Sequence, residues 1–295
     1  MREKPTIRII AHIWMFIVSM LALLPFQLLI IASFTDNNYA SIHGFSFFPK
    51  QWSADAYLYI MNKWATIGRA YLMTIIVTIV GVALSIIITT LFAYGLSNTK
   101  LPGVKVISFL VIFTMLFNGG LVSTYYSYVN LFHIRNTIWA LIFPGLLMNA
   151  FNIILVKNYI RNSIPPSLME AARIDGASEY TIFFRIVVPL SIPILATIGL
   201  LTGIAYWNDW QNGLYYLTQR DGGHLYTIQV VLNTINESIT FLAVNPDTSV
   251  TSVTDLPSTT VRMAIAMVGI IPIILAYPFF QKYFVKGITL GGVKE

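Results

Sequence analysis

Very few side chains in this sequence have the types and spacing that chemistry requires. The four histidines, His12, His43, His133 and His224, are scattered, and none stands at a ligand spacing from another, so no metal site and no catalytic residue is expected. Cysteine is absent, which excludes disulfides, thiol nucleophiles and thiolate metal sites. No glycine is followed by lysine, so the chain lacks a P-loop, and any ATP that drives it must sit on another polypeptide. Two segments remain. Residues 206–216 read Tyr-Trp-Asn-Asp-Trp-Gln-Asn-Gly-Leu-Tyr-Tyr, which combines side-chain amides able to hydrogen-bond a ligand with aromatic faces able to stack on one. Residues 163–189 read as two short helices around one glycine, an arrangement suited to docking rather than to bond chemistry.

In the docking segment, Ser167 and Glu170 stand in capping-box spacing after Pro165 and Pro166, which predicts the start of the first helix. Gly176 ends it with a left-handed turn, and Ser178 caps the second, which presents Tyr180, Phe183, Phe184 and Val187 at helical spacing. Helices of about eight residues are unstable alone in water, so the unit must pack against something. Ala171, Ala172 and Ala177 leave little side chain in the way of close approach.

In the polar-aromatic segment, Asn208, Gln211, Asn212 and Tyr215 fall at i, i+3, i+4 and i+7, with Trp207 and Trp210 adjoining. These six are the candidate substrate path. The alternative is an aromatic belt at a polar helix end. Asn118, Asn149 and Asn152 are further candidates, as pathway residues or as interhelical hydrogen-bond partners.

The elements that must position these segments are membrane helices. Apolar residues make up 56% of the chain and charged residues only 10%, with a mean hydropathy of +0.72, whereas a soluble domain carries about 25% charge. Six apolar runs are long enough to cross a bilayer: 9–34, 70–96, 106–128, 137–156, 189–217 and 261–280. The chain is therefore expected to be an all-α integral membrane protein, one transmembrane domain over 1–295, with six transmembrane helices. Its outer loops span 35–69 and 218–260, and its cytoplasmic loop, 157–188, joins the fourth and fifth spans. The side holding both termini carries Arg2, Lys4, Arg8, Lys100, Lys105, Lys157, Arg161, Arg173, Arg185, Lys282, Lys286 and Lys294. The other holds Lys50, Lys63, Arg69, Arg135, Arg220 and Arg262, so both termini are predicted to be cytoplasmic. The net charge of +6 follows from this topology and contact with anionic lipid, not from a nucleic-acid partner. The first span, preceded by Arg2, Lys4 and Arg8, reads as an uncleaved signal anchor. In the first outer loop, Ser53 is expected to cap a short helix carrying Tyr57, Ile60, Met61 and Trp64, and 245–260 reads as a solvated loop.

Glu170-Ala171-Ala172, Gly176, Ile186 and Pro189 stand at the spacing of the EAA loop in binding-protein-dependent ABC importer permeases, with Val188 where the family usually has leucine. Phe117 to Gly120, Asn136 to Trp139, Trp207-Asn208 and the tail from Tyr277 to Lys294 resemble the carbohydrate-uptake permeases, maltose-type and complex-oligosaccharide branches among them. The resemblance implies a type I ABC importer permease of the bacterial cell membrane. Its coupling loop would dock on a separate ATPase through Glu170, Ala171, Ala172, Gly176, Ala177, Phe183 and Phe184, with Asp175 and Glu179 facing basic residues of that subunit. It also implies a second homologous permease, two ATPase subunits that carry ATP and magnesium, and an extracytoplasmic substrate-binding protein that delivers an oligosaccharide. An ion-coupled secondary transporter is the alternative, and a membrane scaffold a third reading. The spans hold no central Asp, Glu, Lys or Arg for a proton relay, which disfavours the former. A loop that requires a partner disfavours both.

Overall fold

The computed structural model describes residues 5–244 and 259–292. Arg2, Lys4 and Lys294, and 245–258 of the expected solvated loop, lie outside the described residues. In chain order the helices are α1 (Pro5–Ser33), α2 (Asn37–His43), α3 (Asp55–Asn62), α4 (Trp64–Ser97), α5 (Val104–Leu116) and α6 (Gly120–Tyr126), which runs on as a π turn over Ser127–Leu131. Next come α7 (Trp139–Ile142), α8 (Ala150–Ser163), α9 (Pro166–Ile174), α10 (Glu179–Ile182) with a π turn over Phe183–Val187, α11 (Val188–Leu190) and α12 (Ile192–Trp207). The last are α13 (Gln211–Tyr216), α14 (Gln219–Gly222), α15 (Ile228–Val244) and α16 (Thr259–Gly292). Among the described residues there is no strand, only one isolated bridge between Thr35 and Trp52.

Three helices are long and apolar enough to cross a membrane: Arg8–Ser33 within α1, all of α4, and Thr259–Pro278 within α16. Two bent pairs also qualify, α5 with α6 at 119° and Glu179–Leu190 with α12 at 75°, which makes up to five spans among the described residues. The sequence predicts six. The difference lies in the run 137–156, which is no continuous helix: α7 stops at Ile142 and α8 starts at Ala150. Pro144 cannot donate to a helical ladder, and Gly145 takes φ 71°, so the chain turns out of the helix at this pair. The bend between α5 and α6 has a similar cause, with Gly120 at φ 81°.

The chain divides into two units, 1–69 with 231–271 and 70–230 with 272–295. In the first, the Ser33 and Tyr57 hydroxyls lie 2.8 Å apart, and the Tyr57 ring packs on Phe34 at 4.6 Å. The N-cap of α3 is Ala54 and not the expected Ser53, whose Oγ lies one residue earlier and accepts from the Asp55 N–H. Ala56 and Ile60 of that helix are buried while Met61 and Trp64 are exposed, so the predicted aromatic stripe is split between two faces.

The second unit holds both candidate segments. One of its cores joins Ala93 of α4, Val156 and Ile160 of α8, Ile182, Phe183 and Val187 of the α10 segment, and Ile198 of α12. Another joins Val77, Leu141, Ile142, Tyr206, Leu217 and Leu225. Within it, Tyr206 is only 1% exposed and is fixed by a 2.8 Å hydrogen bond from its hydroxyl to the Ile142 carbonyl.

Gly81 permits this packing, since a Cβ there would stand 2.5 Å from Tyr206 Cζ. The anchored ring cannot yield, so Gly81→Ala should destabilise by about 1–3 kcal/mol, the usual range for overpacking. Gly95 of the same helix has nothing within 4 Å of its would-be Cβ, and Gly95→Ala should be neutral or slightly stabilising. Thermal unfolding in detergent of the two variants checks the difference.

Candidate functional site

The docking segment begins at Pro166, the first residue of α9, where a missing N–H costs nothing. Ser167 therefore lies already inside the helix, and the cap residue Pro165 makes no side-chain cap, so the capping box predicted for Ser167 and Glu170 does not form. The other end follows the sequence. Gly176 has φ +81°, its N–H donates to the Arg173 carbonyl at 3.1 Å, and the Ala177 N–H reaches back to the Ala172 carbonyl at 2.9 Å. These two bonds make a Schellman motif, and Ala172 and Ala177, its usual apolar pair, both pack on the core described above. Ser178 Oγ then accepts from the Thr181 N–H at 3.2 Å and caps α10.

The helix α9 has two apolar sides. Met169 and Ala172 turn inward, whereas Leu168, Ala171 and Ile174 stay outside, Ile174 at 86% exposure. Beyond the glycine, Ile182, Phe183 and Val187 are buried, while Tyr180 is 79% and Phe184 61% exposed. The expected single face of Tyr180, Phe183, Phe184 and Val187 is thus divided. The segment is apolar on more than one side, and contact with α4, α8 and α12 selects which side is covered. Glu170, Asp175 and Gly176 are exposed, with Asp175 serving as the C-cap of α9.

A cavity of about 770 Å³ opens beside α9, lined among others by Lys100, Arg161, Glu170, Arg173 and Glu179. Arg173 Nε donates to Glu179 Oε1 at 2.8 Å, and this bond is the main reason the guanidinium is held above its ordinary pKa. Tyr94, at the end of α4, donates its hydroxyl to Glu179 Oε2. No sequence pattern singles out Tyr94, because a tyrosine near a span end also fits an aromatic belt.

The polar-aromatic segment is not one continuous helix. Asn208 is the C-cap of α12, and a new helix starts at Gln211 because Asp209 Oδ1 accepts from the N–H groups of Gln211 and Asn212 at 3.1 and 3.3 Å. Asn208 and Gln211 are exposed, and Asn208 Oδ1 accepts from Gln229 Nε2 at 3.4 Å. Asn212 is buried and donates to the Pro144 carbonyl at 3.0 Å. Tyr215 is half-buried beside Ile134, Ala140 and Tyr216, and Trp210 is half-buried as well. Trp207 is buried, edge-on to Tyr71 at 5.8 Å. The predicted shared face therefore separates into exposed Asn208 and Gln211 and an inward Asn212.

The three further asparagines all have local partners. Asn118 Oδ1 accepts from the Gly120 N–H at 2.9 Å, and Asn149 Oδ1 caps α8 through Phe151 and Asn152. Asn152, buried, donates to Thr202 Oγ1 at 3.3 Å, an interhelical bond between α8 and α12. Asn136, quoted above only within a resemblance, holds a turn at φ 57°. Its Oδ1 accepts from the Thr218 N–H at 2.7 Å.

Three helices long and apolar enough to cross a bilayer, with two bent pairs that also qualify, define a multi-pass membrane protein. Residues 101–290 match the family of binding-protein-dependent transport system inner membrane components, and the chain belongs to that family. It is 39% identical over 277 residues, 94% of each chain, to the polygalacturonan/rhamnogalacturonan transport system permease protein YtcP of Bacillus subtilis strain 168. It is 35% identical to protein LplC of the same organism, across 94% of this chain and 91% of LplC. A chain in the crystal structure of a bacterial ABC transporter involved in the import of the acidic polysaccharide alginate superposes with a TM-score of 0.79. The two share 32% identity, over 96% of this chain and 98% of that one. The fold is that of a type I ABC importer permease.

Gly176 has nothing within 4 Å of its would-be Cβ, so a substitution there meets conformational strain and no clash. Gly176→Val should lose about 1–2 kcal/mol through the left-handed backbone, while Gly176→Asn, which visits that region more readily, should lose less. Thermal unfolding of both variants in detergent would show the ranking.

Proposed function

We propose that this chain is one of two permease subunits of an ATP-driven importer that moves an oligosaccharide into the cytoplasm by alternating access. The observation that carries the reading is the α9–α10 turn. It ends in a Schellman motif at the family's glycine and leaves Leu168, Ala171, Ile174, Tyr180 and Phe184 uncovered beside charged residues. An apolar patch rimmed by polar groups marks an interaction site for protein or membrane, and the exposed charges of Glu170, Arg173 and Asp175 beside it favour a protein partner over lipid tails. Its occupant is a separate ATPase subunit, which binds ATP and magnesium, since this chain has no phosphate-cradling loop. Glu170, Asp175 and Gly176 flank the patch, and Phe183 holds it to the membrane core. A second homologous permease, a second ATPase and an extracytoplasmic binding protein complete the importer.

Six crossings with both termini cytoplasmic remain the topology that fits the distribution of lysine and arginine. The fourth run then crosses as the broken pair α7 and α8. Such a break is tolerable where other groups satisfy the freed carbonyls, as Tyr206 does for Ile142 and Asn212 for Pro144. Sugar as cargo follows the names of the similar permeases, and two of the similar proteins serve polygalacturonan or alginate systems. Asn208, Gln211, Trp210 and Tyr215 are the path residues this reading favours, while Asn212, Asn149, Asn152 and Trp207 support the helices beside them.

The isolated chain should bind no ATP, whereas co-expression with its ATPase should give a hydrolysing complex that co-purifies. Competable labelling of this subunit by a photoreactive ATP analogue would contradict the assignment. In a deletion strain fed defined oligosaccharides, pectic and alginate fragments included, Asn208→Leu or Gln211→Leu should cost about 0.5–1.5 kcal/mol per lost hydroxyl partner, roughly two- to tenfold in apparent affinity. The loss should differ among sugars. Asn212→Leu should instead lower the amount of assembled complex and all uptake alike. Equal losses for every sugar in the first two variants would remove them from the path.

A further inference from the structure

Tyr94 occupies the last turn of α4 and touches the α9–α10 turn in two ways. Its ring lies 5.3 Å from that of Phe183, and its hydroxyl donates to Glu179 Oε2 at 2.5 Å. The same carboxylate accepts from Arg173 through Nε at 2.8 Å and Nη2 at 3.4 Å. One carboxylate thus ties together the end of α4, the last turn of α9 and the first residue of α10.

The position of this triad around the glycine matters more than its strength. Arg173 and Glu179 are 40% and 58% exposed, and exposed ion pairs are worth about 0.2–1 kcal/mol. Such a pair cannot hold the turn on its core, a role that falls to Ile182, Phe183 and Val187. It can fix the angle between α9 and α10. Gly176 joins the two helices without a side chain, and Arg173 and Glu179 stand on either side of it, so their ion pair braces the turn. Tyr94 then ties the brace to α4, at 34 residues the longest candidate span.

We infer that Tyr94, Glu179 and Arg173 are positioning residues that make the α9–α10 turn and the end of α4 move as one body, so that displacement of the turn by the ATPase reaches α4 directly. This inference rests on the function proposed above. Without the triad, part of the displacement would be absorbed by rotation at Gly176 before it reached the membrane.

The chain has no cysteine, so with partner subunits freed of their own cysteines, spin labels can be placed by Leu91→Cys on α4 and Ser167→Cys on α9 in the assembled importer. With the triad intact, the distance between the labels should be the same in the nucleotide-free and the ATP-vanadate-trapped complex. Tyr94→Phe keeps the ring against Phe183 and removes only the hydroxyl, and Glu179→Gln weakens both bonds. In either variant the distance distribution should at least double in width or shift between the two states, while the ATPase still co-purifies. The Arg173→Glu, Glu179→Arg reversal should narrow it again in part, because it restores the ion pair but leaves Tyr94 without an acceptor. A distance that changes on trapping with the triad intact would overturn the inference, as would variants that match the unaltered protein in both states. Failure of the unaltered chain to co-purify with an ATPase would instead refute the proposed function, so the two results are separable.

Discussion

Inside a bilayer, a backbone carbonyl that loses its helical partner has no water to replace it, and each such group costs several kcal/mol unless another donor reaches it. This chain interrupts its helices repeatedly, and its placement of polar side chains follows from that constraint. Where Pro144 and Gly145 break the fourth apolar run, the Ile142 carbonyl accepts from the Tyr206 hydroxyl and the Pro144 carbonyl from Asn212. Asn149 supplies the acceptor that restarts the chain as α8. Both donors belong to residues 206–216, within which α12 itself ends, so the residues around one break satisfy the carbonyls freed at another.

That exchange bears on what the polar-aromatic segment is for. Composition alone makes 206–216 look like a carbohydrate surface, yet Asn212 and Tyr206 are committed to backbone carbonyls and Asp209 to the N–H groups that open α13. Asn208 and Gln211 remain exposed. A transport path lined by so few groups would hold a sugar weakly, which suits a membrane subunit that must release its cargo. On the proposed function, tight recognition would fall to a separate binding protein.

Some of this was legible in the sequence, and the reasons differ from element to element. Gly176 and Ser178 were readable because each acts through its own neighbouring peptide groups, and local chemistry leaves a local signature. The long apolar runs of α1, α4 and α16 were readable for the same reason. The break at Pro144 was visible as a Pro-Gly pair, but its extent depends on Tyr206 and Asn212, more than 60 residues away. The division of Tyr180 and Phe184 from Ile182, Phe183 and Val187 could not be read, since apolar spacing describes several sides of that segment equally well. Tyr94 left no signal either. Its role depends on Glu179, 85 residues further on, and on a contact that only the folded chain creates.

The relative sizes of these interactions suggest how the α9–α10 turn can be both secure and adjustable. Burying a residue such as Ile182, Phe183 or Val187 contributes about 1.5–3 kcal/mol where the alternative is water, and the three together outweigh any exposed ion pair several-fold. The core they join includes residues of α4, α8 and α12, so the turn cannot leave the membrane helices without exposing all three. Within that limit, orientation is governed by weaker terms: one glycine at φ +81° and one exposed carboxylate shared between Arg173 and Tyr94. A partner pressing on Leu168, Ala171 and Ile174 therefore meets a surface that is hard to detach and that, while the shared carboxylate holds, turns together with α4. Rotation that carries its supporting helices with it is the displacement an alternating-access subunit requires.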